Sequence, residues 1–187
     1  MQASGQKFGL GKGAIYPAEH ARALLNPARR LIQSPRRVVG IASIADGTKL
    51  LELGCGPGWF SPELARAVGS GTVTYFDLQP AMLHFARART GSARQTAGDA
   101  QRLPFRAEAF DAVFLSAVLG EVPDPARVWR ELARVLPVGG TAIFVETRTD
   151  PDFQRYERLL TAAHSAGFTP RRCHRGFFGY VATFAKV

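Results

Sequence analysis

Chemistry concentrates in one stretch, Leu50-Leu51-Glu52-Leu53-Gly54-Cys55-Gly56-Pro57-Gly58. An apolar run that carries an acid near its end and then Gly-x-Gly-x-Gly lets the backbone turn sharply and approach a ligand with no side chain between them. Glu52 falls at the carboxyl end of the expected strand, where open α/β sheets bind ligands. The dinucleotide pattern Gly-x-Gly-x-x-Gly is not met, because the third glycine arrives one residue early, and no P-loop lysine follows. Taken alone, the triplet also fits a plain tight turn.

A second acid, Asp77, ends the next β-rich run 19 residues beyond Gly58. A carboxylate at that place accepts hydrogen bonds from ribose hydroxyls. Asp99, in Gly98-Asp99-Ala100, follows the third run and can accept from an exocyclic adenine amine. The competing reading makes both acids ordinary loop caps. The two cysteines, Cys55 and Cys173, have no zinc-site or disulfide spacing, and no metal site is expected.

These groups need a scaffold that brings strand ends together. From Lys49 onward, short β-rich runs alternate with helical-period segments, the pattern of βαβ units and a mainly parallel sheet. Strands are expected at Lys49–Leu53, Val73–Phe76, Gln95–Ala97, Ala112–Ser116 and Ala142–Val145, with two closing β segments at Thr169–Cys173 and Tyr180–Ala185. Ser61 is expected to cap the helix that Pro62 opens, and Asp124 with Pro125 starts another. Residues 1–48 are expected to form a helical cap or lid, interrupted at Pro27 and Pro35, and residues 49–187 the ligand-binding domain, one domain overall.

At 187 residues, 46% of them hydrophobic, the chain can bury a core without disulfides. Neither a signal peptide nor a membrane-length apolar run is legible, so a cytoplasmic protein is expected. Lys and Arg outnumber Asp and Glu by 24 to 15, for a net charge of +9. The arginines are spread along the whole length, a compositional habit more than a nucleic-acid footprint.

The ordered motifs resemble those of class I S-adenosylmethionine-dependent methyltransferases. They are most similar to the type 11 domain of ubiquinone/menaquinone-biosynthesis C-methyltransferases and many small-molecule methyltransferases. Leu51 to Gly58 matches the first motif, Asp77-Leu78-Gln79-Pro80-Ala81-Met82-Leu83 the second with Gln79 in place of Ser, and Gly98-Asp99-Ala100 through Leu103-Pro104-Phe105 the adenine segment. Phe110-Asp111-Ala112-Val113, and Glu131 to Leu136 through Gly139-Gly140, follow in family order. The resemblance implies a Rossmann-like three-layer α/β sandwich whose seven-stranded, mainly parallel sheet has order 3-2-1-4-5-7-6 and an antiparallel last strand.

It further implies S-adenosyl-L-methionine as cofactor and S-adenosyl-L-homocysteine as product. Glu52 and the Gly54, Cys55, Gly56 and Gly58 loop would hold the methionine part, Asp77 the ribose, and Leu78 and Met82 the adenine faces. Asp99 with the Ala100 backbone would hold the adenine edge, and Ser116 and Ala117 would lie beside the sulfonium. Relatives often carry a His pair before Val-Pro-Asp. Here Gly120-Glu121 stands instead, which makes Glu121 the candidate base, with Tyr16 and His20 as lid candidates. Glu146 and Arg148 are further candidates for touching the acceptor, and Phe177 and Phe178 are expected in an apolar wall or the core.

The activity implied is in-line methyl transfer to a small-molecule acceptor by a monomer or homodimer. The alternatives are a nucleic-acid or protein methyltransferase, whose Asn/Asp-Pro-Pro-Tyr/Phe signature is absent after the fourth strand, and a non-catalytic S-adenosylmethionine binder.

Overall fold

In the computed structural model, residues 8, 9, 14–92 and 94–187 are described. Most of the glycine-rich stretch expected to act as a lid, residues 1–7 and 10–13, lies outside them. The strands are β1 (Lys49–Leu53), β2 (Thr72–Asp77), β3 (Gln95–Ala97), β4 (Ala112–Ser116), β5 (Thr141–Thr147), β6 (Phe168–Gly176) and β7 (Gly179–Lys186). The helices are α1 (Ala21–Leu24), α2 (Pro35–Ala42), α3 (Ser61–Ala67), α4 (Pro80–Thr90), α5 (Pro125–Val135) and α6 (Tyr156–Ser165). The sheet has the order β3-β2-β1-β4-β5-β7-β6. The first five strands pair in parallel, whereas β7 runs antiparallel to both β5 and β6.

Side chains that alternate across the central strands feed two cores. Leu51, Leu53, Val113, Leu115 and Phe144 face the layer built by α5 and α6. Leu50, Phe114, Ile143 and Val145 face α2, α3 and α4. Helices therefore cover both faces, which is why β4 is apolar throughout. The chain leaves β1 toward one face and β4 toward the other, so their carboxyl ends diverge at the point where the strand order reverses. Open α/β sheets form their ligand crevice at such a point.

Prolines start two of the helical turns of the N-terminal segment. A 3₁₀ turn begins at Pro27 and α2 at Pro35, positions where the missing N–H leaves no hydrogen bond unmade. Asp124 caps α5 as expected, accepting from the Ala126 and Arg127 amides at 3.1 and 3.3 Å. Ser61 does not cap α3. It is the helix's first residue, and its hydroxyl points back to β1. Phe177 and Phe178 form the turn of the β6–β7 hairpin and stand exposed, not in a wall or core.

Candidate active site

The diverging ends of β1, β2 and β4 bound a cavity of about 190 Å³. Glu52, Gly54, Cys55 and Gly56 line it from β1 and its turn, and Asp77, Leu78 and Met82 from β2 and α4. Asp99 and Ala100 line it after β3, and Ser116, Ala117 and Glu121 after β4. Eleven of the twelve residues assigned to the cofactor by resemblance thus converge. The twelfth, Gly58, is not part of the lining. A Cβ there would meet the Ala86 backbone at 3.1 Å, so this glycine lets α4 approach the loop.

Two glycines in the loop do different things. Gly56 has φ +52°, a left-handed conformation, and a Cβ on it would meet nothing within 4 Å; the space it faces is the cavity. Gly54, at φ +70°, would drive a Cβ to 2.4 Å from Val118 Cγ2. Its bareness is required by packing.

Glu52 is buried, and its Oε2 accepts from Ser61 Oγ at 2.6 Å. Burial pushes its pKa up to about 8; the Ser61 hydrogen bond opposes the shift and the charge of Asp77 adds to it. Asp77 accepts from the Gly56 amide at 2.8 Å and the Gln79 amide at 2.9 Å. Burial raises its pKa too, against those backbone bonds. Burial also pushes the Cys55 thiol up, away from reactivity. Asp99 is held by Gln101, whose backbone amide donates at 2.8 Å and whose Nε2 donates to both oxygens at 3.1 Å.

On the wall across from the glycine loop, Glu121 is pushed up to about 8, first by burial and then by the charges of Asp150, Asp77 and Asp152, while the Tyr16 backbone opposes. Ser116 Oγ is buried with no partner among the described residues. Ala117, beside it, has φ +55°, a conformation that costs a non-glycine residue of order 1 kcal/mol. Ser116 and Ala117 both line the cavity that opens above Gly56.

Tyr16 lines the cavity; His20 does not, and meets Tyr16 edge-on at 6.3 Å. Glu146 is buried behind the cavity, accepting from the Gln154 amide at 3.0 Å, with burial holding its carboxyl at about 8. Arg148 lies outside as well and lines a separate cleft.

Several lining groups were not legible in the sequence. Asp150 and Arg29 face the cavity from segments far apart in the chain. Arg29 donates to Leu24 O at 3.1 Å and Gln33 Oε1 at 2.7 Å and lies 5.3 Å over the Trp59 ring. Gln79, noted only as a departure from Ser, anchors the N-terminal segment. Its Nε2 donates to Tyr16 O at 2.8 Å, and its Oε1 accepts from the Ala18 amide at 3.1 Å.

Five carboxyl groups (Glu52, Asp77, Asp99, Glu121 and Asp150) therefore line a cavity to which the described residues contribute one guanidinium, Arg29. Such a site favours a cation, whose arrival lowers the carboxyl pKa values and compensates their burial.

The sequence profile of the family described as "Methyltransferase domain" matches residues 51–144. A Malonyl-[acyl-carrier protein] O-methyltransferase of Legionella pneumophila is 39% identical over 121 residues, 63% of this chain and 41% of that protein. A Demethylmenaquinone methyltransferase of Staphylococcus aureus is 36% identical over 116 residues, 60% of this chain and 48% of that protein. The chain spans less than half the length of these curated relatives. A crystal structure of a SAM-dependent methyltransferase from Aquifex aeolicus superposes with TM-score 0.83 over 92% of this chain and all of that one, at 19% identity. That likeness is one of fold.

Proposed function

We propose, on the premise that the chain belongs to the methyltransferase domain family, that it moves a methyl group from S-adenosylmethionine to a small-molecule acceptor. The observation that carries the reading is the set of five carboxyl groups converging on one cavity at the sheet's switch point. When bound, S-adenosylmethionine supplies a methyl group activated by a sulfonium for direct in-line displacement.

The chain's own residues then have separable tasks. Glu52 and the loop from Gly54 to Gly58 hold the methionyl end, with Gly56 leaving room for it. Asp77, which already fixes the Gly56 amide, accepts from the ribose, and Leu78 and Met82 sandwich the adenine. Asp99 and the Ala100 backbone read the adenine edge. Ser116 and Ala117 would border the reacting carbon. Glu121, on the wall beyond them, takes the acceptor's proton where the acceptor has one to lose. Alignment and exclusion of water contribute most of the acceleration. We assign the exclusion to residues 14–48, acting as a cap through Tyr16, Leu24 and Arg29.

The acceptors in the two relatives' names, malonyl-[acyl-carrier protein] and demethylmenaquinone, set the range in which to look. We place the protein in the cytoplasm, as monomer or homodimer; its two free thiols suit a reducing compartment. Among the described residues no helix is long and apolar enough to cross a membrane.

Calorimetry with S-adenosylmethionine, S-adenosylhomocysteine and NAD tests the cofactor. The first two should bind and NAD should not. Product S-adenosylhomocysteine should form when acceptor thioesters or quinols are added. Tight NAD binding with neither of the others would overturn the reading.

A further inference from the structure

The described residues expose seven large apolar side chains. Four of them sit on one rim. Leu31 and Ile32 are 85% and 40% exposed at the end of the 3₁₀ turn of the cap, and Phe177 and Phe178 are 84% and 40% exposed on the β6–β7 turn. Thr147, the last residue of β5, links the two segments. Its hydroxyl accepts from Gln33 Nε2 at 2.6 Å, and it pairs with Gly179 just past the hairpin turn. The Arg148 amide then donates to Phe178 O at 2.8 Å. Because β7 runs antiparallel to β5, the hairpin turn projects from the carboxyl end of the parallel strands, the end at which the 190 Å³ cavity lies.

Cations surround these side chains. Arg30 precedes Leu31, and Arg148, Arg155 and Arg175 border a cleft of about 290 Å³ beside Gly179 and Tyr180. Arg175 is paired with Glu157 at 3.0 Å and lies 4.9 Å over Tyr156. The Arg30, Arg148 and Arg155 guanidiniums make no ion pair or hydrogen bond among the described residues, and the chain as a whole carries +9. Exposed aromatic and aliphatic tips set among arginines, three of which form no ion pair among the described residues, suit a surface that is anionic at its face and hydrocarbon behind it.

We propose that this rim, formed by Leu31, Ile32, Phe177 and Phe178 with Arg30, Arg148 and Arg155, docks the protein on an anionic phospholipid bilayer. A nucleic acid would also satisfy the arginines, but the apolar groups disfavour it. The two phenyl rings pack edge-to-face at 5.0 Å and partly cover one another, and Leu31 and Ile32 offer no flat face for a base. Docking in this pose turns the cap and the cavity end of the sheet toward the lipid, so that an apolar acceptor can reach the cavity from the bilayer. The surface stands independently of methyl transfer, since none of these seven residues lines the cavity.

Co-sedimentation of the full chain with sucrose-loaded vesicles tests it, using phosphatidylcholine alone or mixed with phosphatidylglycerol. The mixed vesicles should bind at least tenfold more tightly, and less so as salt rises. The double variant F177S/F178S should lose tenfold or more of that binding while its Tm and its S-adenosylmethionine affinity stay at wild-type values. L31S should weaken binding by a smaller factor, and R148E/R155E should weaken it and flatten its salt dependence. Wild-type binding by F177S/F178S would reduce the effect to net charge and overturn the proposal. So would equal binding to both kinds of vesicle, or a single-stranded oligonucleotide that competes the protein off the mixed vesicles and loses its own affinity in F177S/F178S.

Discussion

Replacing Glu52 by Gln removes one titrating group from the cavity while keeping its volume and its acceptor oxygen for Ser61. In the folded protein the Glu52 carboxyl loses its proton at about 8, against an ordinary value of 4.5. Between those values the folded state holds a proton that the unfolded chain has released, so stability falls as pH rises. The favourable contribution is complete below 4.5 and gone above 8. At about 1.4 kcal/mol per pH unit, the whole span is about 4.8 kcal/mol, and the part between pH 6 and pH 8 roughly 2.3 kcal/mol. That is a large share of the 5–15 kcal/mol typical of a domain. Glu121 and Glu146, also held at about 8, titrate in both proteins. Urea denaturation at the two pH values should therefore show the E52Q variant gaining roughly 2 kcal/mol on the wild type as pH rises. A cationic ligand must draw Glu52 into its charged form, so wild-type affinity for S-adenosylmethionine should be roughly tenfold lower at pH 7 than at pH 9. E52Q should bind weakly at both. Identical loss of stability with pH in variant and wild type would show that Glu52 ionises normally inside the fold, and the charge logic of the cavity would fail with it.

The remaining predictions address single contacts. D77A should weaken S-adenosylmethionine binding by roughly 1.5 to 3 kcal/mol, because hydrogen bonds to a charged acceptor and the anchor of the Gly56 amide go together; unchanged calorimetric affinity would refute the ribose assignment. G56V should abolish binding in a protein that still melts cooperatively, since its side chain fills open space, whereas G54V meets Val118 and should lower the Tm; normal binding by folded G56V would reduce the loop to a turn. E121Q should lower kcat by about 10²-fold or more for an acceptor that must lose a proton, and it should remove the rise in wild-type rate toward pH 8; a variant with the wild-type pH profile would exclude Glu121 as base.

The strand cores were legible because apolar runs buried on both faces leave a continuous signal, as at Ala112–Ser116. Their ends were not. β5 continues through Glu146 and Thr147 and β7 begins at Gly179, because antiparallel pairing carries the ladder past the last apolar residue. Ser61 carries the type and spacing of a helix cap, but a buried Glu52 made a stronger claim on its hydroxyl. The convergence of the glycine-loop, Asp77 and Asp99 segments on one cavity could be read because these residues follow strands directly and stay local in sequence. Arg29 and Asp150 could not, since they reach the cavity from segments outside the strand ends, and the Gln33–Thr147 bond that ties the cap to β5 spans more than a hundred residues; no spacing rule encodes either. Phe177 and Phe178 read as core by composition alone. The register that pairs Gly176 with Gly179 leaves them as a two-residue turn that no helix covers.

Several local costs of this fold fall at the carboxyl ends of its parallel strands. A carboxyl held neutral by burial, a hydroxyl with no partner and an alanine in a left-handed conformation sit at or just beyond the ends of β1 and β4, and a second carboxyl raised by burial, Glu146, lies near the end of β5. Burying ionisable groups costs stability unless something offsets it, whereas Leu51 and Leu115, one residue earlier on the two strands, go to the core. Because the chain leaves β1 and β4 toward opposite faces, no helix can close over their ends, and polar groups there stay within reach of a ligand. A cation seated beside Glu52 and Glu121 would offset the burial of both. The buried carboxyl groups that line the cavity are thus ones a charged ligand can compensate, which couples binding to stability at this end of the sheet.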